Sequence, residues 1–174
     1  MITRTHHDGT TSSVATYSDC QRYRYALTRR WDPAGQQLLY IMLNPSRATE
    51  IDNDPTIERC QRRATQLGFG AFQAVNIFAW RETDPRQMRR AADPVGPEND
   101  QSIRDAVAGA DMILAAWGTH GAHMGRGPAV AGLLRALGRP VHVLGLTKAG
   151  HPRHPLYVTY AQQPILWHIN QTPS

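Results

Sequence analysis

Four short apolar runs, Gln37 to Leu43, Phe72 to Phe78, Asp111 to Trp117 and Pro140 to Leu146, are separated by stretches of helical periodicity. This alternation narrows the fold more than any other feature. Near-continuous apolar runs of five to seven residues suit strands buried on both faces, and strands alternating with helices point to a parallel sheet covered on both sides. The expected class is therefore α/β, a three-layer α/β/α arrangement around a central, mostly parallel four-stranded sheet. Tyr23 to Trp31 is rich in aromatic and extended-type residues, and Asp32-Pro33-Ala34-Gly35 is turn chemistry. With Gln37 to Leu43 as the second arm, they predict an N-terminal β-hairpin that adds an antiparallel strand.

The helices follow from caps and spacing. Asp54 is placed as an N-cap for Pro55 to Leu67, where Ile57, Cys60, Ala64 and Leu67 share a face and Gly68 or Gly70 is the stop. Thr83-Asp84-Pro85 opens a short helix through Arg90. Asn99 to Ala108 forms the next, with Ile103 and Val107 inward, and Ala129 to Leu137 the last, closed by Gly138. Residues 1–16 are small and polar without periodicity and read as a flexible lead-in; residues 17–174 read as one domain, as a chain of 174 residues allows.

Apolar residues at 41% and charged residues at 19% fit a soluble protein, and no apolar run approaches the roughly 20 residues of a membrane span. The first residues lack the apolar stretch of a secretory signal, and Cys20 and Cys60 form no CxxC, so a cytoplasmic setting without a membrane is expected. The net charge is +5, with Lys148 the single lysine among 19 basic residues. Arginine offers phosphate a planar fork of donors, so the balance favours an anionic partner, although a solvated basic surface accounts for the charge equally well.

In open α/β sheets ligands bind beyond the carboxyl ends of the parallel strands. Those ends carry Asn44-Pro45-Ser46; Asn76 with Phe78, Trp80 and Arg81; Trp117 with Thr119 and His120; and Thr147 to Pro155, which includes Lys148, His151, Arg153 and His154. Asn44 is either an Asx-turn residue before proline or a carboxamide whose oxygen positions a water, with Ser46 beside it. Asn76 sits in an apolar strand where asparagine is disfavoured; it is either a structural bridge or a reader of a nucleobase edge. Phe78, Trp80 and Trp117 are either core residues or stacking surfaces for a base. Arg81, Arg126, Lys148 and Arg153 are candidate phosphate ligands.

His120-x-x-His123 and His151-x-x-His154 have a spacing seen in metal sites, but no cysteine accompanies them, and no bound metal or cofactor is expected. A neutral donor or an imidazolium facing a departing anion is the simpler role for His154. The phosphate-binding GxxxxGK[ST] loop, the dinucleotide glycine fingerprint, the GxSxG elbow and HExxH are all missing from the sequence.

The stretches "MLNPS", "NDPTIERC" with "LGFG", "VNIFAWRETDP", "PVGPEND", "AAWG" and "LGLTKAGHPRHPLY" resemble the bacterial and phage family called domain of unknown function 1643. More distantly, the order of motifs resembles the uracil-DNA glycosylase superfamily. That likeness implies that Asn44 with Pro45 orients an attacking water, that Asn76 reads the base, and that His154 with Pro155 steadies the departing base. Three functions are carried forward. The first is a glycosylase-like hydrolase acting on a base in nucleic acid, a nucleotide or a nucleoside. The second is a non-catalytic nucleotide or nucleic-acid binding module, and the third a histidine-dependent metal hydrolase.

Overall fold

The computed structural model describes residues 1–169. The chain forms a mixed α/β fold with one eight-stranded sheet. The strands are β1 (Ile2–Asp8), β2 (Thr11–Tyr17), β3 (Arg24–Arg30), β4 (Gln37–Met42), β5 (Ala71–Asn76), β6 (Met112–Ala115), β7 (His142–Val143) and β8 (Ile165–Leu166). The helices are α1 (Pro55–Gln66), α2 (Pro85–Met88), α3 (Asn99–Gly109) and α4 (Arg126–Leu137). The spatial order is β1-β2-β3-β5-β4-β6-β7-β8. Within it β5, β4, β6 and β7 run parallel, while β1 to β3 on one side and β8 on the other run antiparallel to their neighbours.

β4 is the axis of the core. Every residue from Leu38 to Met42 is buried, which is why this strand reads as an unbroken apolar run. Its side chains alternate between two clusters. Leu38, Tyr40 and Met42 meet Ile57, Cys60 and Ala64 of α1; Leu39, Ile41 and Leu43 meet Ile103 and Val107 of α3 and Val130 and Leu134 of α4. Removing such a side chain to alanine costs about 2–5 kcal/mol, so the two clusters together fix which helix lies on which face. Asp54 caps α1 as its sequence predicts, accepting from Ile57 N at 2.9 Å, and Pro55 occupies the first turn. α4 begins at Arg126, three residues before the predicted start, because the Arg126 side chain is itself fastened: Nε donates to Ile77 O at 2.7 Å and Nη2 to Asp100 at 2.6 Å.

Two expectations are corrected. β3 and β4 are not a hairpin, because β5 lies between them and pairs with both. The Asp32–Gly35 turn is real, but it straddles the start of β5. Trp31 and Asp32 both donate their N–H to Gly70 O, and Gly70 donates to Gln36 O. The crossing needs two glycines, since a Cβ on Gly35 would lie 2.5 Å from Gly70 Cα and one on Gly70 would lie 2.7 Å from Gly35 Cα. Residues 1–16, read as a flexible lead-in, instead carry β1 and most of β2, paired in register from Ile2↔Tyr17 to Asp8↔Thr11. The period of two is present in β2, but its inward positions are Ser13, Ala15 and Tyr17, so small and polar residues conceal it.

Among the described residues no helix is long and apolar enough to cross a membrane. Cys20 is exposed and Cys60 buried, both as free thiols. The glycine crossing generates a direct test in urea denaturation. Gly70→Ala is expected to destabilise by about 1–3 kcal/mol through overpacking. Gly109→Ala, where an added Cβ meets nothing within 4 Å, is expected to be neutral or stabilising by up to about 1 kcal/mol.

Candidate functional site

The chain leaves β4 toward β5 on one side of the sheet, and β6 is then added on the other side of β4. The carboxyl ends of β4 and β6 therefore flank the point where the topology reverses, the place where such sheets open a crevice. A cavity of about 520 Å³ lies there. Its floor comes from Leu43 and Asn44 after β4 and Trp117 to His120 after β6. One wall comes from Glu82, Thr83 and Pro85, another from Thr147 and the Arg153–Tyr157 loop, and a third from Asp54 to Thr56 at the start of α1.

Asn44 is held through its nitrogen. Nδ2 donates to Glu82 O at 2.7 Å and to Pro45 O at 3.2 Å. An Asx turn would instead hold the carboxamide through its oxygen. With both amide hydrogens committed to carbonyls, flipping the group would set oxygen against oxygen, so the orientation is fixed. What Asn44 has left for the cavity is the acceptor Oδ1.

His154 is fixed by the complementary device. Its Nδ1 accepts from Leu156 N at 3.2 Å at the start of the 3₁₀ turn Pro155–Tyr157, so the neutral ring carries its proton on Nε2. Burial pushes its pKa down to about 4, opposed only in part by the Asp54 carboxylate. At neutral pH the ring is therefore an uncharged N–H donor. The loop approaches β6 closely because Gly118, at φ +75, carries no Cβ; one placed there would lie 3.3 Å from His154 Cβ, and Gly118 N donates to Pro152 O at 2.7 Å.

The remaining candidates divide. Ser46, Thr119 and Arg153 line the cavity, and Ser46 Oγ donates to Thr83 Oγ1 at 3.1 Å. Pro45 is buried and outside the lining, its carbonyl accepting from Glu82 N. Asn76, 1% exposed, is also outside the lining: its carbonyl accepts from Asn99 Nδ2, and its own Nδ2 is buried without a partner. Phe78 is fully buried in the core beside His123. Trp117 belongs to the cavity floor, but its side chain is 1% exposed, packed against Gly121 and Gly127 and in T-shaped contact with Trp167 at 5.6 Å, so it does not present an open ring face for stacking. Trp80 and Arg81 line a neighbouring trough of about 410 Å³ that shares Ser46, Arg47, Glu82 and Thr83 with the cavity.

Lys148 is exposed and His151 half-buried, and neither lines the cavity. Each histidine pair is split, since His120 and His154 line the cavity whereas His123 and His151 do not. Among the described residues no group of three or more His, Cys, Asp or Glu side chains could hold a metal ion.

Sequence reasoning missed Arg47, Glu82 and Tyr157 as lining residues and treated Asp54 mainly as a cap. Asp54 does more. Besides capping α1 it accepts from Ala48 N at 3.1 Å and sets a buried negative charge in the cavity wall.

A family model described as "Protein of unknown function (DUF1643)" matches residues 24–156. The chain belongs to this family. In this DUF1643 protein the matched region starts at the first residue of β3 and ends within the His154 loop, so it takes in every lining residue of the cavity except Tyr157 but not the β1–β2 hairpin. No curated protein and no solved structure matches the chain.

The depressed His154 pKa makes a stability prediction. The folded ring titrates near 4 and the unfolded one near 6.5, so between these values the unfolded chain binds more protons. Stability from neutral His154 is full above about pH 6.5 and is lost as the pH falls toward 4, by roughly 3 kcal/mol in total. Urea titrations at pH 7 and pH 4 are expected to show wild type losing about that much more than His154→Gln between the two conditions.

Proposed function

We propose that this DUF1643 protein binds a nucleobase in the β4/β6 cavity and hydrolyses the N-glycosidic bond that joins it to its sugar. The substrate is a base in nucleic acid or in a free nucleotide or nucleoside. In this reading the fold is a three-layer α/β/α arrangement of the uracil-DNA glycosylase type. One observation carries the proposal: Asn44 and His154, 110 positions apart, line one cavity, the first pinned to present an acceptor and the second pinned to present a donor.

The chemistry suits that pair. A carboxamide is too weak a base to strip a proton from water, so the reaction must break the carbon–nitrogen bond first. The bond cleaves toward an oxocarbenium-like sugar and a base anion. His154 Nε2–H donates to the developing anion without needing to be charged. A water donating one hydrogen to Asn44 Oδ1 is held with its lone pair free to attack the sugar carbon. As the new carbon–oxygen bond forms, the water's proton passes through solvent to the departed base anion, so the sugar gains the hydroxyl and the base the hydrogen. The products are the free base and the hydrolysed sugar. The buried Asp54 carboxylate favours the cationic sugar in passing. Asn76 has no part in this scheme, being outside the cavity lining.

Base release is measured by chromatography over a panel of nucleosides, nucleotides and short oligonucleotides. Asn44→Ala is expected to lower release by at least about 100-fold while the circular dichroism spectrum is retained. Undiminished release in that variant sinks the water-positioning role. Binding without turnover of any substrate leaves a nucleotide-binding module in its place.

A further inference from the structure

The trough beside the cavity has a charge pattern that the proposed reaction does not use. It is lined by Arg22, Arg47 and Arg81 together with Trp80. Arg22 and Arg47 are exposed; Arg81 is half-buried, its Nη1 donating to Gln21 O at 3.1 Å and its guanidinium 5.0 Å from the centre of the Tyr17 ring.

None of the three takes part in an ion pair among the described residues, whose four pairs are Met1–Asp19, Arg62–Glu58, Arg86–Asp84 and Arg126–Asp100. The one carboxylate in the trough, Glu82, already accepts from Thr83 N at 2.9 Å. Arg22 and Arg47 therefore face solvent and Arg81 lies half-buried behind them, so the trough holds three cations against one carboxylate, directly beside the cavity. At the seam Ser46 donates to Thr83 Oγ1, which leaves the Thr83 hydroxyl hydrogen free to donate to a ligand.

Other arginines of the same chain are consumed structurally. Arg29 binds the carbonyls of Thr49 and Asp52, and Arg63 those of Val158, Thr159 and Gln162. In the trough Arg22 and Arg47 make no side-chain hydrogen bond among the described residues and Arg81 commits only Nη1, so most of their donors stay available where the three converge beside the cavity.

We infer that this trough is a phosphate subsite, so that the molecule bound in the cavity carries a phosphoester beside its base-bearing sugar. The inference rests on the cavity holding the base and sugar, and it selects nucleotides or nucleic-acid strands over nucleosides. Guanidinium forks suit phosphate oxygens, and the neighbouring Trp80 indole, edge-on to Tyr23 at 5.5 Å, is placed to meet the next unit of a strand.

Calorimetric titration tests it with deoxyribose 5-phosphate, nucleosides, their 3′- and 5′-monophosphates, and a mixed-sequence single-stranded pentanucleotide. At about 50 mM salt the phosphate-bearing probes are expected to bind at least about tenfold tighter than the phosphate-free ones, and the advantage shrinks by about 200 mM. In the Arg22→Gln/Arg47→Gln protein, whose substitutions lie on the exposed surface, the advantage is expected to fall below about threefold. A free nucleotide is the source if the monophosphates show the effect, and a strand if only the pentanucleotide does, with Trp80→Ala then weakening it.

The subsite is overturned if no phosphate-bearing probe outbinds its phosphate-free counterpart, or if the advantage survives the double substitution. Its failure is separable from that of the base-binding reading. Nucleosides binding as tightly as nucleotides would leave the cavity and remove the trough, whereas deoxyribose 5-phosphate binding as tightly as the nucleotides would do the reverse.

Discussion

The buried Asp54 carboxylate is the joint that holds the two halves of the site together. One oxygen accepts from Ile57 N and so starts α1; the other accepts from Ala48 N and so fixes the loop that leaves β4 just beyond Asn44. Such a cap contributes about 1–2 kcal/mol to the helix. The larger effect is positional, because α1 then carries two arginines to the loop that holds His154. Arg59 donates to the carbonyls of Pro155 and Val158, and Arg63 to those of Val158, Thr159 and Gln162. Burial lowers the Arg63 pKa, and among the described residues its guanidinium is held by carbonyls with no carboxylate paired to it. The β4 exit, α1 and the His154 loop thus form one hydrogen-bonded body.

Within that body Asn44 and His154 obey one rule. Each spends half of its polar capacity on backbone groups and presents the other half to the cavity. Asn44 gives its hydrogens to Glu82 and Pro45; His154 gives its Nδ1 lone pair to Leu156. A side chain tethered in this way has little rotamer freedom left to lose on binding, so its remaining group acts from a fixed position. Burial adds the charge state, keeping the imidazole neutral where an exposed histidine would be partly protonated.

Local signals were legible in the sequence, and pairings between distant segments were not. Asp54, Pro55, Ile57, Cys60 and Ala64 announce α1 because caps and helical spacing act over a few residues. The Asp32–Gly35 turn was visible, yet nothing in it records that Gly70 threads the gap between β3 and β4. The β1–β2 hairpin escaped notice because Ser13 and Ala15 face inward where apolar residues would have revealed the period. Strand ends alone lead to Asn44 and His154 as neighbours of one cavity, but they do not reveal which way the Asn76 side chain is buried. Asn76 pairs with Met42 in the β4–β5 register, and its side chain is buried outside the cavity. Arg22 was invisible as a partner of Arg81 because the two meet through a single bridge, Tyr23 opposite Trp80, with Arg81 N donating to Arg22 O at 2.9 Å.

The near-absence of lysine takes on meaning once the arginines are sorted by what they touch. A guanidinium bridges several carbonyls at once, as Arg63 does across Val158, Thr159 and Gln162, and as Arg29 does across Thr49, Asp52 and Asn53. A lysine ammonium is a compact point charge and does not span such a set with planar geometry. These arginines act as backbone cross-links, and the loops they hold are the ones that frame the cavity. The net charge therefore overstates the surface available to an anion, since part of it is already bound to carbonyls. Of the arginines not used in this way, Arg89, Arg90 and Arg104 lie exposed elsewhere on the surface, whereas Arg22, Arg47 and Arg81 border the trough and Arg153 borders the cavity. Carbonyl contacts occupy donors of Arg29 and Arg63 without cancelling their charge, so the hydrogen-bonding capacity open to an anionic ligand beside the cavity comes from Arg22, Arg47, Arg81 and Arg153.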